Sequence, residues 1–592
     1  MADQPTTFEN DAGLPPLPVP TLEETCARYL SSVEPLISAE AFAETQAAVE
    51  ALQKPGGVGE RLQALLEARG SEMPNWLTGW WEQYAYLAYP DPIVINSSIG
   101  ISSDPGVAPG SQASRAARIA HGALEFYLAI VHETLPPEVQ RDGSGFDMSL
   151  LKRFLAATRV PGIQGDHLVN FSPSETGHIL VIRRGRFFTV DGIDDTGAAV
   201  DASTLRVQFE RIIAAVDGQE LPPAIGVLTA DERPRWSRER DRLAIDPVNR
   251  GSLDRIERAI FVVCLDDEAH DTPDALARAG LHGQKGNRWH DKSLHLIIDQ
   301  QGRFTLHGEH APVDAGAWCP LIDQIAASTD EVAPISDTRH IAQPVELNWR
   351  LWPETLKAID HASAVFDGLT ENLDLHVRPF TDFGKDLIKT FKTGPDPVIQ
   401  MAFMLAYHRR YGRLPKTYEA ASTRMYQGGR TETIRTASNE ALAMVKAIDD
   451  VSMSAAAKHG KVRAAFAEHG KRGKEASAGY GVDRHLFGLK LIAAEHGIND
   501  LPELFSEEIF NRGWELSTAQ VPLMHGYVNH FGPVCGDGYG IGYVIKNGQI
   551  NFNITSWHSS EVTDTRAFAD DIFTAMRDLR AVLEAAAAEQ AA

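Results

Sequence analysis

The apolar residues of this chain fall into two spacings, one near 3.6 and one of two. Their alternation predicts a mixed α/β protein. LPPLPVP at 14–20 reads as extended chain; TLEETCARYLSSVEPL and AEAFAETQAAVEALQ then carry helical spacing, the first capped by Thr21 with Glu24 three residues later. From SRAARIAHGALEFYLAIVHETL onward, helices alternate with short β-rich runs. HILVIRRGRFFTVDG reads as a hairpin through Arg184-Gly185, ERAIFVVCLDD as a further strand, and SLHLIIDQQGRFTLHG as two strands joined at Gly302. After about residue 350 the chain turns helical, with an apolar stripe in DPVIQMAFMLAYHRRYG. It ends in a glycine-rich β segment, PVCGDGYGIGYVIKNGQINFNITSW, and the helix RAFADDIFTAMRDLRAVLEAA. No solenoid period is visible, so two comparable α/β halves are expected.

Composition narrows what such a protein does. At 592 residues the chain exceeds the size of a single growing core, so at least two domains are expected. Its 80 acidic and 56 basic residues leave a net charge of −24, which repels a phosphate backbone or anionic membrane everywhere except at a local basic groove. Cys26, Cys264, Cys319 and Cys535 are scattered without a CxxC pair, so neither a disulfide framework nor a metal site is expected. The polar opening MADQPTTFENDAGLPP has no apolar targeting core, and no apolar run approaches the ~20 residues needed to span a bilayer. A cytoplasmic protein in a reducing compartment is the expectation.

Three stretches carry candidate chemistry. In TLHGEHAPVDAGAW a strand end delivers Glu309-His310 and then Asp314; a lone histidine there is either a catalytic group or a core residue. In YGVDRHLFGLKL, Arg484 and His485 stand in an apolar helical stretch: a buried Arg484 needs a partner, Asp314 or another carboxylate, whereas a solvated turn needs none. In FGKDLIKTFK, Lys385 and Lys389 lie one helical turn apart, able to reach one polyphosphate or simply to face solvent. GYGIGY lies between strands and opens no helix, which argues against a nucleotide loop.

Together with LPPLPVPTLEETCARYL, the segments NWLTGWWEQYAYLAYPDPIVINSSIG, NRWHDKSLHLIIDQQGRFTLHGEHAPVDA, TYEAASTRMYQGGRTETIR, DRHLFGLKL, and ELSTAQVP followed by HFGPVCGDGYGIGY resemble the carnitine/choline O-acyltransferase family, in order from about residue 14 to 581. The resemblance implies a monomer of two α/β domains, each similar to chloramphenicol acetyltransferase, with an active-site tunnel at their interface. The expected division is 1–90, helices packing on the C-terminal half; 91–349, carrying the histidine; and 350–592, carrying the substrate contacts. Acyl-CoA would enter from one side and the acceptor alcohol from the other, with CoA a substrate and no permanently bound cofactor. Acyl transfer between thiol and alcohol is nearly symmetric, so one imidazole can take a proton from the hydroxyl and return it to the thiolate.

Residue by residue, the resemblance makes His310 the general base and pairs Asp314 with Arg484 to fix its loop, with Ser517 and Thr518 completing the catalytic group. Carnitine contacts fall on Tyr418, Thr431, Ser517, Arg484, Phe531 and Val534, with Trp81 and Tyr86 lining the tunnel. An aromatic face suits a quaternary ammonium. CoA contacts fall on Lys385, Lys389, Asp396 and Glu419, and the acyl pocket on Asn529 and His530. The patch Thr431-Glu432-Thr433 favours carnitine over choline. Two departures stand out. Ala519 replaces the last serine of a Ser-Thr-Ser motif, an expected oxyanion donor, and Asn529-His530 replaces apolar residues and hints at a polar or branched acyl group. These leave two alternatives: the same chemistry with choline or another hydroxy acid or amino alcohol, or a non-catalytic acyl-CoA or carnitine binder.

Overall fold

The computed structural model describes residues 6–103, 110–140, 142–326 and 331–591, so the first five residues of the opening and Ala592 of the terminal tail lie outside the described residues. The strands are β1 (Ser98–Ser103), β2 (Ala157–Val160), β3 (His167–Asn170), β4 (His178–Arg183), β5 (Arg186–Asp191), β6 (Val262–Leu265), β7 (Leu294–Ile298), β8 (Phe304–Glu309), β9 (Val345–Glu346), β10 (Leu373–Phe380), β11 (Thr417–Ser422), β12 (Thr431–Ile434), β13 (Leu516–Gln520), β14 (Gly526–Phe531), β15 (Tyr539–Ile545) and β16 (Ile550–Trp557). The helices that matter below are α1 (Leu22–Val33), α2 (Ala39–Leu52), α3 (Val58–Glu72), α4 (Gln112–Val131), α5 (Pro273–Leu281), α6 (Pro353–Asn372), α7 (Lys385–Thr390), α8 (Pro395–Tyr411), α9 (Asn439–Asp449), α10 (Ala455–Ser477), α11 (Asp483–Glu495) and α12 (Thr565–Ala591).

Local chemistry sets these elements as the spacing predicts. The Thr21 hydroxyl accepts from the Glu24 amide and starts α1. Arg184 and Gly185 both take positive φ, 50° and 71°, the two-residue turn whose twist matches a hairpin, between β4 and β5. The stripe expected on α8 is instead a helix buried all round from Val398 to Tyr407, as befits a helix with packing on every side.

Two sheets organise the chain. The larger runs β14-β1-β8-β7-β6-β4-β5-β9, with an apolar core against α4 on one face and another against α5 and α6 on the other. The smaller runs β10-β16-β15-β13-β11-β12 and packs against α8, α9, α10 and α12. The split expected at 349/350 is crossed by β14, which leaves the second half of the sequence and pairs antiparallel with β1, setting His530 opposite Gly100. Every residue of β1 is buried, so its outer edge needs a partner strand, and β14 provides one. Leu22, Tyr29, Leu52 and Leu66 of the N-terminal helices share a core with Leu486 and Leu489 of α11. Among the described residues, no helix is long and apolar enough to cross a membrane.

Candidate active site

β8 ends at Glu309 and delivers His310 at the junction of the two sheets. The imidazole Nδ1 lies 2.9 Å from the Val313 carbonyl, so Nδ1 carries the proton and Nε2 is left with its lone pair. The side chain is 23% exposed, enough to meet a substrate. Tyr86 lies against the ring, centroids 5.1 Å apart. From below, Glu309 accepts from the Ala311 amide (3.1 Å) and from Arg159 (2.8 Å), while Arg159 also holds the Tyr86 carbonyl at 2.6 Å.

The partner of Asp314 is Arg430, which corrects the expected pairing with Arg484. Arg430 reaches the two Asp314 oxygens at 2.8 and 3.2 Å and donates to the carbonyls of Ala311 and His310 at 2.8 and 3.1 Å. A buried guanidinium has five donors to satisfy, and this loop offers four acceptor contacts at once. The second sheet thereby fastens the loop that hangs from the first. Burial works to raise the Asp314 pKa, but Arg430, then His310, with Arg484 beyond, more than offset this and hold it below its ordinary value. Asp314 Oδ1 stays 3.9 Å from the imidazole, too far for a hydrogen bond.

Arg484 has a different setting. It opens α11, is 5% exposed, and donates to the Thr431 carbonyl (3.0 Å), the Tyr418 hydroxyl (3.1 Å) and the Thr433 hydroxyl (3.4 Å). Its guanidinium lies 3.6 Å from the centre of the Trp81 ring. Among the described residues it forms no ion pair: Asp483 is taken by Arg435, and Glu432 accepts from the backbone amides of Thr433, at 2.7 Å, and Arg484, at 3.4 Å, but not from the guanidinium. Burial pushes Glu432 up to about 7 against the pull of Arg484. Arg484, Tyr418, Thr431, Trp81 and Tyr86 therefore converge, and their one strong cation has only neutral acceptors.

Strand pleating sorts the remaining residues. Tyr418 is opposite Ser517 and Glu419 opposite Thr518 in the β11/β13 ladder, so Tyr418, Ser517 and Ala519 share one face. Thr518 turns to the helix side, where it accepts from Gln400 at 2.9 Å and donates to the Tyr418 carbonyl at 3.3 Å. It does not stand beside Ser517 in the catalytic group, because successive side chains of a strand point to opposite faces. The same rule separates Asn529 from His530. Asn529 donates to the Ala519 carbonyl at 3.2 Å and its Oδ1 has no partner among the described residues, whereas His530 turns toward α5, where a Cβ on Gly100 or Gly280 would come within 2.5 or 2.4 Å of its Nε2. One pocket does not take both. Phe531 is half-buried and Val534 is 52% exposed.

Lys385 is half-buried and Lys389 exposed on the one-and-a-half-turn α7; among the described residues neither ammonium is paired. Asp396 opens α8 behind them. With Glu419 and His469 it brings an imidazole nitrogen and two carboxyl oxygens within 4.8 Å of one another. A direct bond from His469 Nε2 to Glu419, at 2.8 Å, already accounts for the contact. Arg430, His469 and Gln400 are the members that sequence spacing misses. Their only signal is a charged or amide residue inside an otherwise apolar or motif-bearing run.

Against known proteins, the family described as Choline/Carnitine o-acyltransferase matches residues 17–574. Human carnitine O-acetyltransferase is 36% identical over 96% of this chain and 94% of its own length. Bovine peroxisomal carnitine O-octanoyltransferase is 33% identical, covering 98% of this chain and 97% of its own, and pig choline O-acetyltransferase is 33% identical over 98% and 94%.

Proposed function

Because the chain belongs to the choline/carnitine O-acyltransferase family, we propose that it moves a short acyl group reversibly between coenzyme A and the hydroxyl of carnitine, with His310 Nε2 as general base. The observation that carries the choice of acceptor is Arg484. A buried guanidinium that stacks on Trp81 and, among the described residues, donates only to a carbonyl and hydroxyls has no anion paired with it, and the carboxylate of carnitine would supply one beside Tyr418, Thr431 and Ser517. Choline has no such group. Trp81, Tyr86 and Phe531 offer aromatic surface for the trimethylammonium end.

In this reading the acceptor hydroxyl sits on His310 Nε2 and gives up its proton as its oxygen attacks the thioester carbonyl. The C–S bond then breaks and the imidazolium returns the proton to the leaving thiolate. Arg430 keeps the loop still while the histidine cycles between its two charge states. Ala519 leaves the oxyanion with one donor fewer, and Ser517 on the same face is the side-chain donor available. The unpartnered Asn529 Oδ1 beside Ala519 supports a small acyl group with a polar or branched end. We read the chain as a monomer in the cytoplasm, to be checked by sedimentation and cell fractionation.

Thiol release from a panel of acyl-CoAs with L-carnitine or choline tests the acceptor. Carnitine-dependent release is expected, and Arg484→Gln should raise the carnitine KM by about 10- to 100-fold, since a charge-assisted hydrogen bond contributes about 1.5–3 kcal/mol. Choline outperforming carnitine would overturn the choice.

A further inference from the structure

Behind the strand that carries Ser517 lies a buried polar network. His469 bonds to Glu419 Oε2 at 2.8 Å, and the Thr436 hydroxyl lies 3.2 Å from the same oxygen and 3.3 Å from Gln400 Oε1. Gln400 Nε2 donates to Thr518 at 2.9 Å and to the Tyr543 hydroxyl at 3.0 Å, and Tyr543 donates to Asp396 at 2.5 Å. Glu419, His469, Gln400, Thr436 and Thr518 are all at least 95% buried. The Asp396 and Glu419 carboxyl oxygens lie within 4.8 Å of one another; two carboxyl groups so close cannot both ionise there without a counter-charge, and the basic side chain bonded to Glu419 is His469.

We propose that His469 is a positioning residue for the coenzyme A side of the site: as an imidazolium bonded to Glu419, it lets Glu419 and Asp396 stand within 4.8 Å of one another sharing one proton, and CoA affinity falls when that proton leaves. This rests on the reading above that Asp396 and Glu419 face CoA. With the proton in place the three groups are neutral together; without it they carry one net negative charge toward a ligand rich in phosphate. Burial, then Glu419, push Asp396 up to about 7, while His469 and Tyr543 pull it down. Burial opposes a charge on His469, yet Glu419, with Asp396 behind it, raises its pKa above 6.5. Facing the cluster are Tyr543 from β15, Asp396 from α8, and His469 with Arg472 from α10. The adjoining α7 carries Lys385 and Lys389, and Met444 and Val445 of α9 with Phe568 and Ile572 of α12 belong to the apolar core that packs on this sheet.

The test is CoA binding by calorimetry from pH 5.5 to 9, without acceptor. Wild type is expected to bind tightly at low pH and more weakly above an inflection near 7, by about tenfold if bound CoA shifts the shared proton by one pK unit. Losing the cation strengthens the hold on the proton, so His469→Gln should move the inflection up by about one unit, His469→Lys should restore it, and Glu419→Gln should move it down. Thermal melts identify any variant that fails to fold, and His469→Lys then decides between charge and packing. A His469→Gln protein with the wild-type inflection overturns the proposal. Wild-type protein that binds no CoA overturns the functional reading with it, while CoA binding without carnitine-dependent thiol release overturns the acceptor alone.

Discussion

His307 and His310 are three residues apart at the end of one strand, and their surroundings have nothing in common. His310 stands in a loop held by Arg430 and Glu309, with one ring nitrogen bonded to a carbonyl and the other free toward the junction of the sheets. His307 is fully buried among other imidazoles: it donates to the Gly280 carbonyl at 3.0 Å, accepts from His290 at 3.3 Å, and lies 4.9 Å from the His295 ring. His530 enters the same region from β14 with neither nitrogen bonded among the described residues. Burial pushes His282 down to about 4 and His307 and His530 to about 3, so these imidazoles stay neutral. His310 has one nitrogen tied and a side chain that a substrate can reach, whereas His307 has both nitrogens buried and bonded and serves as a packing group.

That contrast can be broken most forcefully with acid. Because the buried imidazoles have folded-state pKa values below the unfolded 6.5, the unfolded chain binds more protons between about 6.5 and 4, and stability falls as pH falls through that window. Each such group contributes a slope of up to about 1.4 kcal/mol per pH unit, so the unfolding midpoint in urea should drop steeply from pH 6.5 to 4.5. A flat profile would mean the histidines are solvated. The next largest effect is expected from Arg430→Gln, which releases the loop without touching Nε2. Its kcat should fall about 10²-fold, as misplacing a catalytic group does, with CoA affinity retained. Smallest is His530→Leu, which removes two unpartnered ring nitrogens from a slot shaped by Gly100 and Gly280. Thermal unfolding should show a gain of about 1–2 kcal/mol at pH 7 and a shallower acid profile.

Much of this architecture is legible in the order of residues. Period-two runs give the β4/β5 and β7/β8 hairpins, Thr21 gives the first helix, and the spacing His310 to Asp314 marks the loop. The partners across the sheets are not legible that way. Arg430 and Asp314 are 116 residues apart, and nothing local distinguishes Arg430 from Arg484 as the residue that closes on the loop. Both follow the same demand, that a buried guanidinium be satisfied, and only the fold decides which one is given a carboxylate and which a carbonyl and hydroxyls. The roles of Thr518 and His530 fail for a simpler reason: a motif names neighbours, and a strand sends neighbours to opposite faces.

His310, and no other histidine, is expected to move the proton. The direct measurement is thiol release by His310→Ala with acyl-CoA and carnitine at saturation, alongside CoA binding by calorimetry and His307→Gln as the comparison. His310→Ala should lose about 10²–10⁴ in kcat with CoA affinity unchanged, and any His307→Gln protein that folds should turn over within a few-fold of wild type. Full turnover by His310→Ala would contradict it.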